Sequence, residues 1–360
     1  MPSSLTERIV DLMHADMPFT DLHLREGAAP QLLTPRSWVA DEEGEVSRAD
    51  MEAFLDGIER DWREPLKTGR AVSRAVDLPT MRLRMNAFST DSGKHLNISL
   101  RRLPQEPMTL KDAGLPPTVK EMLERGKGLI LVTGATRSGK TTTLAAMLRA
   151  INESRPDHII TIEDPIEYVL RPKQGIISQK EVGGDTKSFL DGLQDALRQS
   201  PNVIMIGEVR DTQTADVMLQ AAESGHLVLA TLHATSAIGA IAKLSVMTGA
   251  QEAEQQQRRY TLANTLIGVV YQVLLPKAAY DGFVLAAEIL ANSPPVAKAI
   301  EDPSRTMVLR EQIKRGEDKV SRALNDVLLE LATTRKIVAS DALRASYEPM
   351  ELKARLDQRR

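Results

Sequence analysis

The chain contains no cysteine. That absence excludes disulfides and thiolate metal sites outright, and it suits a reducing compartment without requiring one. Charge imbalance is missing too, since 46 Lys and Arg stand against 49 Asp and Glu for a formal net charge of -3. With a pI near 6.1, no global field draws the chain to nucleic acid or to an anionic membrane, and no direct nucleic-acid partner is expected. No stretch approaches the roughly 18 consecutive apolar residues that a membrane-crossing helix requires. "MPSSLTERIVDLMHADMPFTD" carries acids and lacks the long apolar segment of a secretory signal. These absences predict a soluble, cytoplasmic protein that meets a membrane only through a partner. Internal repeats and low-complexity segments are absent as well.

What is present is material for two domains: 360 residues, 42% of them hydrophobic and 26% charged. Residues 1–105 read as an α+β module. "LTERIVDLMHA" has apolar residues at helical spacing, whereas "DLHLRE", "RLRMNAF" and "HLNISLRRL" alternate by twos as half-buried strands do. "PQEPMTLKDAGLPP" is rich in proline and breaks the pattern, which places a linker over 106–117. From 118 to 360, continuous apolar runs alternate with amphipathic helices, the pattern of a parallel sheet covered on both faces. "GLILVTG", "HIITIEDP", "NVIMIGEV" and "HLVLATLHA" are the strands. The part beyond about 255 reads as mostly helical, through "RRYTLANTLIGVVYQVLL" and "VSRALNDVLLELATT". The basic tail "LKARLDQRR" reads as a frayed, solvated end.

"GATRSGKTTT" satisfies the phosphate-loop pattern, with a strand before it and a helix after it. Backbone N–H groups from Gly134 through Ala135, Thr136, Arg137, Ser138 and Gly139 to Thr142 can wrap phosphates, and the helix N-terminus adds a positive dipole end. Lys140 would reach the β- and γ-phosphates and the Thr141 hydroxyl would ligate Mg²⁺. A chance match in a glycine turn is the competing reading. Arg137 occupies an unconstrained position. If that residue must be left-handed, its side chain costs about 1–2 kcal/mol, which leaves nucleotide binding in place.

Two other strand ends carry acids: Glu163, Asp164 and Glu167 in "ITIEDPIEY", and Glu208 in "VIMIGEVRD". In an open parallel sheet the ligand crevice lies at the carboxyl ends of the strands, the same edge as the phosphate loop. A hydrolase there needs a carboxylate near Mg²⁺, for which Glu208 suits, and a group to orient water, for which Glu163 suits. Helix capping and solvation of loop ends are the plainer alternatives. His233 falls at the carboxyl end of a third apolar strand, where a γ-phosphate could be sensed. His226 starts that strand on the far side and reads as structural.

The ordered set "GATRSGKTT", "TIEDPIEY", "IGEVRD" and "GHLVLATLHATSA" resembles the secretion ATPases of type IV pili and type II secretion systems. The likeness is to their type IV pilus retraction branch (PilT/PilU-like), and it extends to "TDLHLREGAAP" and "RLRMNAF" in the first domain. The resemblance implies an α/β fold, a RecA-like P-loop NTPase domain preceded by a smaller PAS-like α+β domain. It implies an ATP- and Mg²⁺-dependent ATPase in which Glu163 is the general base, Glu208 belongs to the metal site with Thr141, and His233 contacts the γ-phosphate side. Arg84 and Arg101, with Arg102 as a neighbour, would reach nucleotide at a subunit interface; on residue type alone they read as a solvated sheet face. The family's loop commonly reads G-P-T-G-S-G-K, and Ala135 and Arg137 stand here in place of its proline and a glycine.

The implied role is a cytoplasmic homo-hexamer, peripheral to the inner membrane, that retracts pili by nucleotide-driven interdomain movement against an inner-membrane pilus platform protein. A paralogous pilus ATPase is a further partner. Two alternatives remain at this point: the ATPase of a related secretion, conjugation or DNA-uptake machine, and a weakly hydrolysing regulatory paralogue in a mixed assembly.

Overall fold

Alternation by twos in the first hundred residues builds an antiparallel sheet. A computed structural model describes residues 4–14, 19–34, 37–78, 81–103, 106–247, 252–279, 282–316 and 318–359. The chain divides into two units, the first comprising Met1–Glu106 with Pro165–Val169 and Tyr280–Gly282, the second Pro107–Asp164, Leu170–Ala279 and Phe283–Arg360. The first holds helices α1 (Leu5–His14), α2 (Arg48–Asp56) and α3 (Arg63–Lys67). Its strands are β1 (Asp21–Arg25), β2 (Gln31–Leu33), β3 (Trp38–Ala40), β4 (Val72–Leu78), β5 (Met81–Thr90) and β6 (His95–Leu103). They form one sheet in the order β3-β2-β1-β6-β5-β4, every pair antiparallel. Along β5, Met81, Leu83, Met85 and Ala87 are buried while Arg82, Arg84 and Asn86 are half-buried. That alternation gives the sheet one dry face. Leu5, Ile9 and Met13 of α1 and Met51, Phe54 and Leu55 of α2 close it into a core.

The second unit contains strands β7 (Gly128–Thr133), β8 (His158–Glu163), β9 (Ile176–Glu181), β10 (Val203–Ile206), β11 (Leu227–Leu232), β12 (Leu266–Pro276) and β13 (Phe283–Ala291). Its helices begin with α4 (Thr118–Glu124), α5 (Lys140–Ser154), α6 (Phe189–Ala196), α7 (Thr212–Glu223), α8 (Ala237–Val246) and α9 (Glu252–Thr265). They continue with α10 (Pro294–Glu301), α11 (Thr306–Arg315), α12 (Leu324–Thr333), α13 (Ala339–Ala345) and α14 (Pro349–Asp357). The sheet runs β13-β12-β7-β11-β10-β8-β9 and is parallel except for the β12–β13 pair. Leu129 and Leu131 of β7 enter one core, Ile130 and Val132 the other. With a core on each face the central strands must be apolar throughout, which is why they read as unbroken runs.

Two stretches differ from their sequence reading. "RRYTLANTLIGVVYQVLL" is helical only to Thr265; Leu266 begins β12, pairing with β7 on one side and β13 on the other. A short apolar run buried on both sides has no period to distinguish helix from strand, and the β-branched Ile267, Val269 and Val270 favour the strand. The tail is no frayed end: α14 buries Leu352 completely, and Arg355 bonds Asp326 at 2.6 Å. Arg360 lies outside the described residues, as do residues 1–3 and 15–18 of the quoted N-terminal stretch. Pro104 and Gln105 of the proline-rich stretch also lie outside them, while Leu110, Ala113 and Leu115 pack into a core of the second unit.

Candidate active site

Strand β7 is buried along its whole length and delivers the chain to Gly134, where φ is 152°. A Cβ there would lie 2.5 Å from Ser138 Oγ and in clash with the Gln272 carbonyl, so the loop closes only around glycine. Arg137 is left-handed, with φ at 67°. The condition attached to its strain is therefore met, and about 1–2 kcal/mol is stored at the loop tip. Ala135, Thr136 and Arg137 are exposed and Ser138 is buried. Gly139, with φ at 88°, is the N-cap of α5, and Lys140 is its first residue. Lys140 Nζ donates to the carbonyls of Gly134 at 3.1 Å and Ala135 at 2.9 Å, which keeps the ammonium folded over the loop. Thr141 and Thr142 follow in the first turn and are half-buried. An oxyanion at this helix start meets the positive end of the helix dipole and the Lys140 cation together.

Sheet order sets the rest. Passing from β7 across β11 and β10 to β8, the carboxyl ends carry the loop, His233, Glu208 and Glu163 in turn. Strand spacing of about 4.8 Å puts β8 about 14 Å from β7, a span that a triphosphate and a water can fill. Ile206 pairs with Ala230, so Glu208 emerges beside Leu232 and next to His233. Its Oε1 lies 3.0 Å from His233 Nε2, and its Oε2 accepts from Arg210 Nε at 2.7 Å. The Glu208 carboxylate beside it pushes the Arg210 guanidinium pKa further up. Thr231 donates its hydroxyl to the Gly207 carbonyl and so locks the turn that presents Glu208.

Glu163 ends β8 and is 5% exposed. Its Oε1 accepts from the Thr161 hydroxyl at 2.7 Å and from Gln179 Nε2 at 3.1 Å. Both donors fix the carboxylate's orientation. Asp164 is exposed, and its charge adds to that of Glu208 in raising the Arg210 guanidinium pKa. At the opposite sheet edge, His226 Nδ1 contacts the Ala221 carbonyl at 2.9 Å and Ser224 Oγ at 3.0 Å, closing the end of α7.

The first-unit arginines sit together, since Arg84 and Arg101 are direct cross-strand partners. Each is held within its own unit. Arg84 bonds Glu167 at 2.8 Å, Arg101 forks onto Asp21 Oδ1 at 3.0 and 2.8 Å, and Arg102 donates to the Met13 carbonyl at 3.3 Å. Several residues that shape the second-unit site are absent from the sequence reading. Thr161, Gln179 and Arg210 orient the two carboxylates, and Gln272 lies under the loop. For Gln272 a signal existed: an amide inside an apolar strand run must find a partner when buried.

Residues 63–328 match the family model for type II/IV secretion system proteins. The Pseudomonas aeruginosa type IV pilus retraction ATPase PilT is 35% identical over 297 residues, 79% of this chain and 81% of its own. The uncharacterized Escherichia coli protein YggR is 39% identical over 273 residues, 74% of this chain and 81% of its own. Among solved structures, the pilus retraction motor PilT with bound ADP superposes with a TM-score of 0.85 at 35% identity, covering 98% of this chain and 99% of the other. The chain belongs to the type II/IV secretion system protein family and, within it, to the pilus-retraction ATPases.

Proposed function

We propose that this chain is the ATP-hydrolysing motor of type IV pilus retraction and twitching motility, working as a homo-hexamer in the cytoplasm at the inner membrane. One observation carries the reading: a phosphate loop, the Glu208–His233 pair and the buried Glu163 are set along one edge of one sheet. ATP lies in the loop from Gly134 to Thr142, with Lys140 on its outer phosphates. A water held by Glu163 attacks the γ-phosphorus, the bond to the bridging oxygen breaks, ADP leaves, and the water's proton passes to Glu163. Mg²⁺ supplies positive charge at the phosphate oxygens when it is bound there.

The protein oxygens that would hold that ion are Thr141 Oγ1 and the Glu208 carboxylate. They fit, because Mg²⁺ takes hard oxygen donors and commonly only one or two from the protein. His233, between the loop strand and Glu208 in sheet order, registers the γ-phosphate through its contact with that carboxylate. Arg84 and Arg101 serve the nucleotide of a neighbouring copy and exchange Glu167 and Asp21 for phosphate when they do so.

Movement of domain 1–105 against domain 118–360, joined through 106–117, passes to an inner-membrane platform protein, with a paralogous pilus ATPase as a second partner. Among the described residues no helix is long and apolar enough to cross a membrane. A weakly hydrolysing regulatory paralogue is the second reading, favoured by the left-handed Arg137.

Glu163→Gln tests the reading. Turnover should fall by about 10²–10⁴ while nucleotide binding is kept, whereas Lys140→Ala should lose both. Full turnover in Glu163→Gln would remove it as the base, and negligible turnover in the parent protein beside intact binding would favour the regulatory reading.

A further inference from the structure

Gln272 stands in β12, 134 residues after the loop residue it touches, and is completely buried. The register explains the encounter. Tyr271 pairs with Thr133, so in this parallel pair Gln272 runs beside Gly134, the first residue of the loop. Its backbone carbonyl closes on the Gly134 Cα, and its side-chain nitrogen lies 3.2 Å from where a Cβ of Gly139 would be. Nε2 donates to the Ser138 carbonyl at 2.7 Å. The amide's orientation follows from that contact, because only its nitrogen can face a carbonyl oxygen.

A trans peptide holds its C=O and N–H antiparallel in one plane. Pinning the Ser138 carbonyl down onto Gln272 therefore aims the Gly139 N–H the opposite way, up into the phosphate concavity. We infer that Gln272 is a positioning residue for nucleotide: it fixes the 138–139 peptide plane so that the Gly139 N–H is presented to phosphate before ATP arrives. The inference rests on the nucleotide-site reading above and names the residue that pre-organises it.

Packing alone would not select an amide here. Among the described residues no protein group donates to Gln272 Oε1, so an apolar side chain of equal length would suit the strand better. That contrast supplies the test. Gln272→Met keeps length and volume and removes the donor. Its nucleotide-free melting temperature should stay within about 3 °C of the parent, because the donor lost from the Ser138 carbonyl is set against an unpaired Oε1 removed from the strand. The Kd for ADP and the KM for ATP should rise about tenfold, the equivalent of one net hydrogen bond near 1.4 kcal/mol. Because the contact serves ground state and transition state alike, kcat should stay within about twofold.

Gln272→Glu is the second variant. A protonated carboxyl can donate to the Ser138 carbonyl and an ionised one repels it, so KM in this variant should climb as pH rises through the carboxyl's titration, against a flat parent profile. Unchanged KM in Gln272→Met, or a melting temperature lowered beyond that range with nucleotide affinity intact, overturns the inference, as does a pH-independent parental KM in Gln272→Glu. Lys140→Ala separates the two failures. If it still binds ADP normally, the site reading falls; if it loses ADP while Gln272→Met keeps it, only the inference on Gln272 falls.

Discussion

Arg137→Gly should make the nucleotide-free protein more stable, although it shortens an arginine to nothing. At φ 67° an L-residue is strained by about 1–2 kcal/mol, and glycine is not. Glycine's freer unfolded chain gives back about 0.5–1 kcal/mol. Little packing is lost, because Arg137 is exposed. The balance is a gain of roughly 0.5–1 kcal/mol. For a unit of this size that raises the melting temperature by about 1–4 °C.

The same change removes a cation from the loop tip. At about 6 Å in a water-like dielectric, one charge on another is worth about 0.7 kcal/mol, or about threefold in affinity, and salt screens it. Calorimetry without nucleotide, with ADP titrations at low and high salt, reads both effects. Arg137→Ala separates them: alanine keeps the strain and loses the charge, so its melting temperature should stay within about 1 °C of the parent while its affinity falls like that of the glycine variant. If Arg137→Gly melts lower than the parent, or if alanine stabilises as much as glycine, the strain argument fails.

Gly134→Ala should abolish nucleotide binding and destabilise the second unit by about 1–3 kcal/mol, because its Cβ meets Ser138 Oγ at 2.5 Å and the Gln272 carbonyl; normal ADP binding would refute the loop geometry. His233→Ala should lower kcat by about tenfold or more and leave ADP affinity intact, since its partner is the Glu208 carboxylate at 3.0 Å; an equal rise in the Kd for ADP would show that it holds the bound product as well. Glu288 is fully buried on β13 and accepts from the N–H groups that open α8 and α12 and from the Tyr347 hydroxyl, and burial raises its pKa above the ordinary 4.5. A carboxyl with a raised folded pKa gives stability that is present below the unfolded pKa and lost as pH rises through the folded one. Glu288→Gln should therefore gain on the parent in urea unfolding as pH climbs from 4 upward, and a pH-independent difference would refute that assignment.

The sheet's inner strands were legible because burial on two faces writes itself as an unbroken apolar run, and β7, β8, β10 and β11 each carry one. The acids at the ends of β8 and β10 were legible because a carboxylate that interrupts an apolar run marks where the strand reaches the sheet edge, Glu163 as the last residue of β8 and Glu208 two residues beyond β10. β12 was not, for the same reason that made the others easy: an apolar run has no period, and its junction with α9 at Thr265 and Leu266 lacks a glycine or proline stop. Partners set by pairing register were hidden too. Nothing local ties Arg101 to Asp21 or Glu163 to Gln179; each pair exists because strands distant in sequence lie side by side.

The phosphate loop shows where a motif stops explaining itself. Its spacing supplies the donors, but a loop with one left-handed arginine and two left-handed or extended glycines has no internal reason to hold one shape. What holds it comes from strands whose order the motif does not encode. Thr133 ties the end of β7 to Leu232 at 2.7 Å, and Gln272 clasps the Ser138 carbonyl from β12. Those flanking contacts hold the backbone on both sides of the strained Arg137. On the reading proposed above, the strain at the tip and the hydrogen bond beneath it together shape the loop for phosphate, one from within the motif and one from a strand that the motif does not encode.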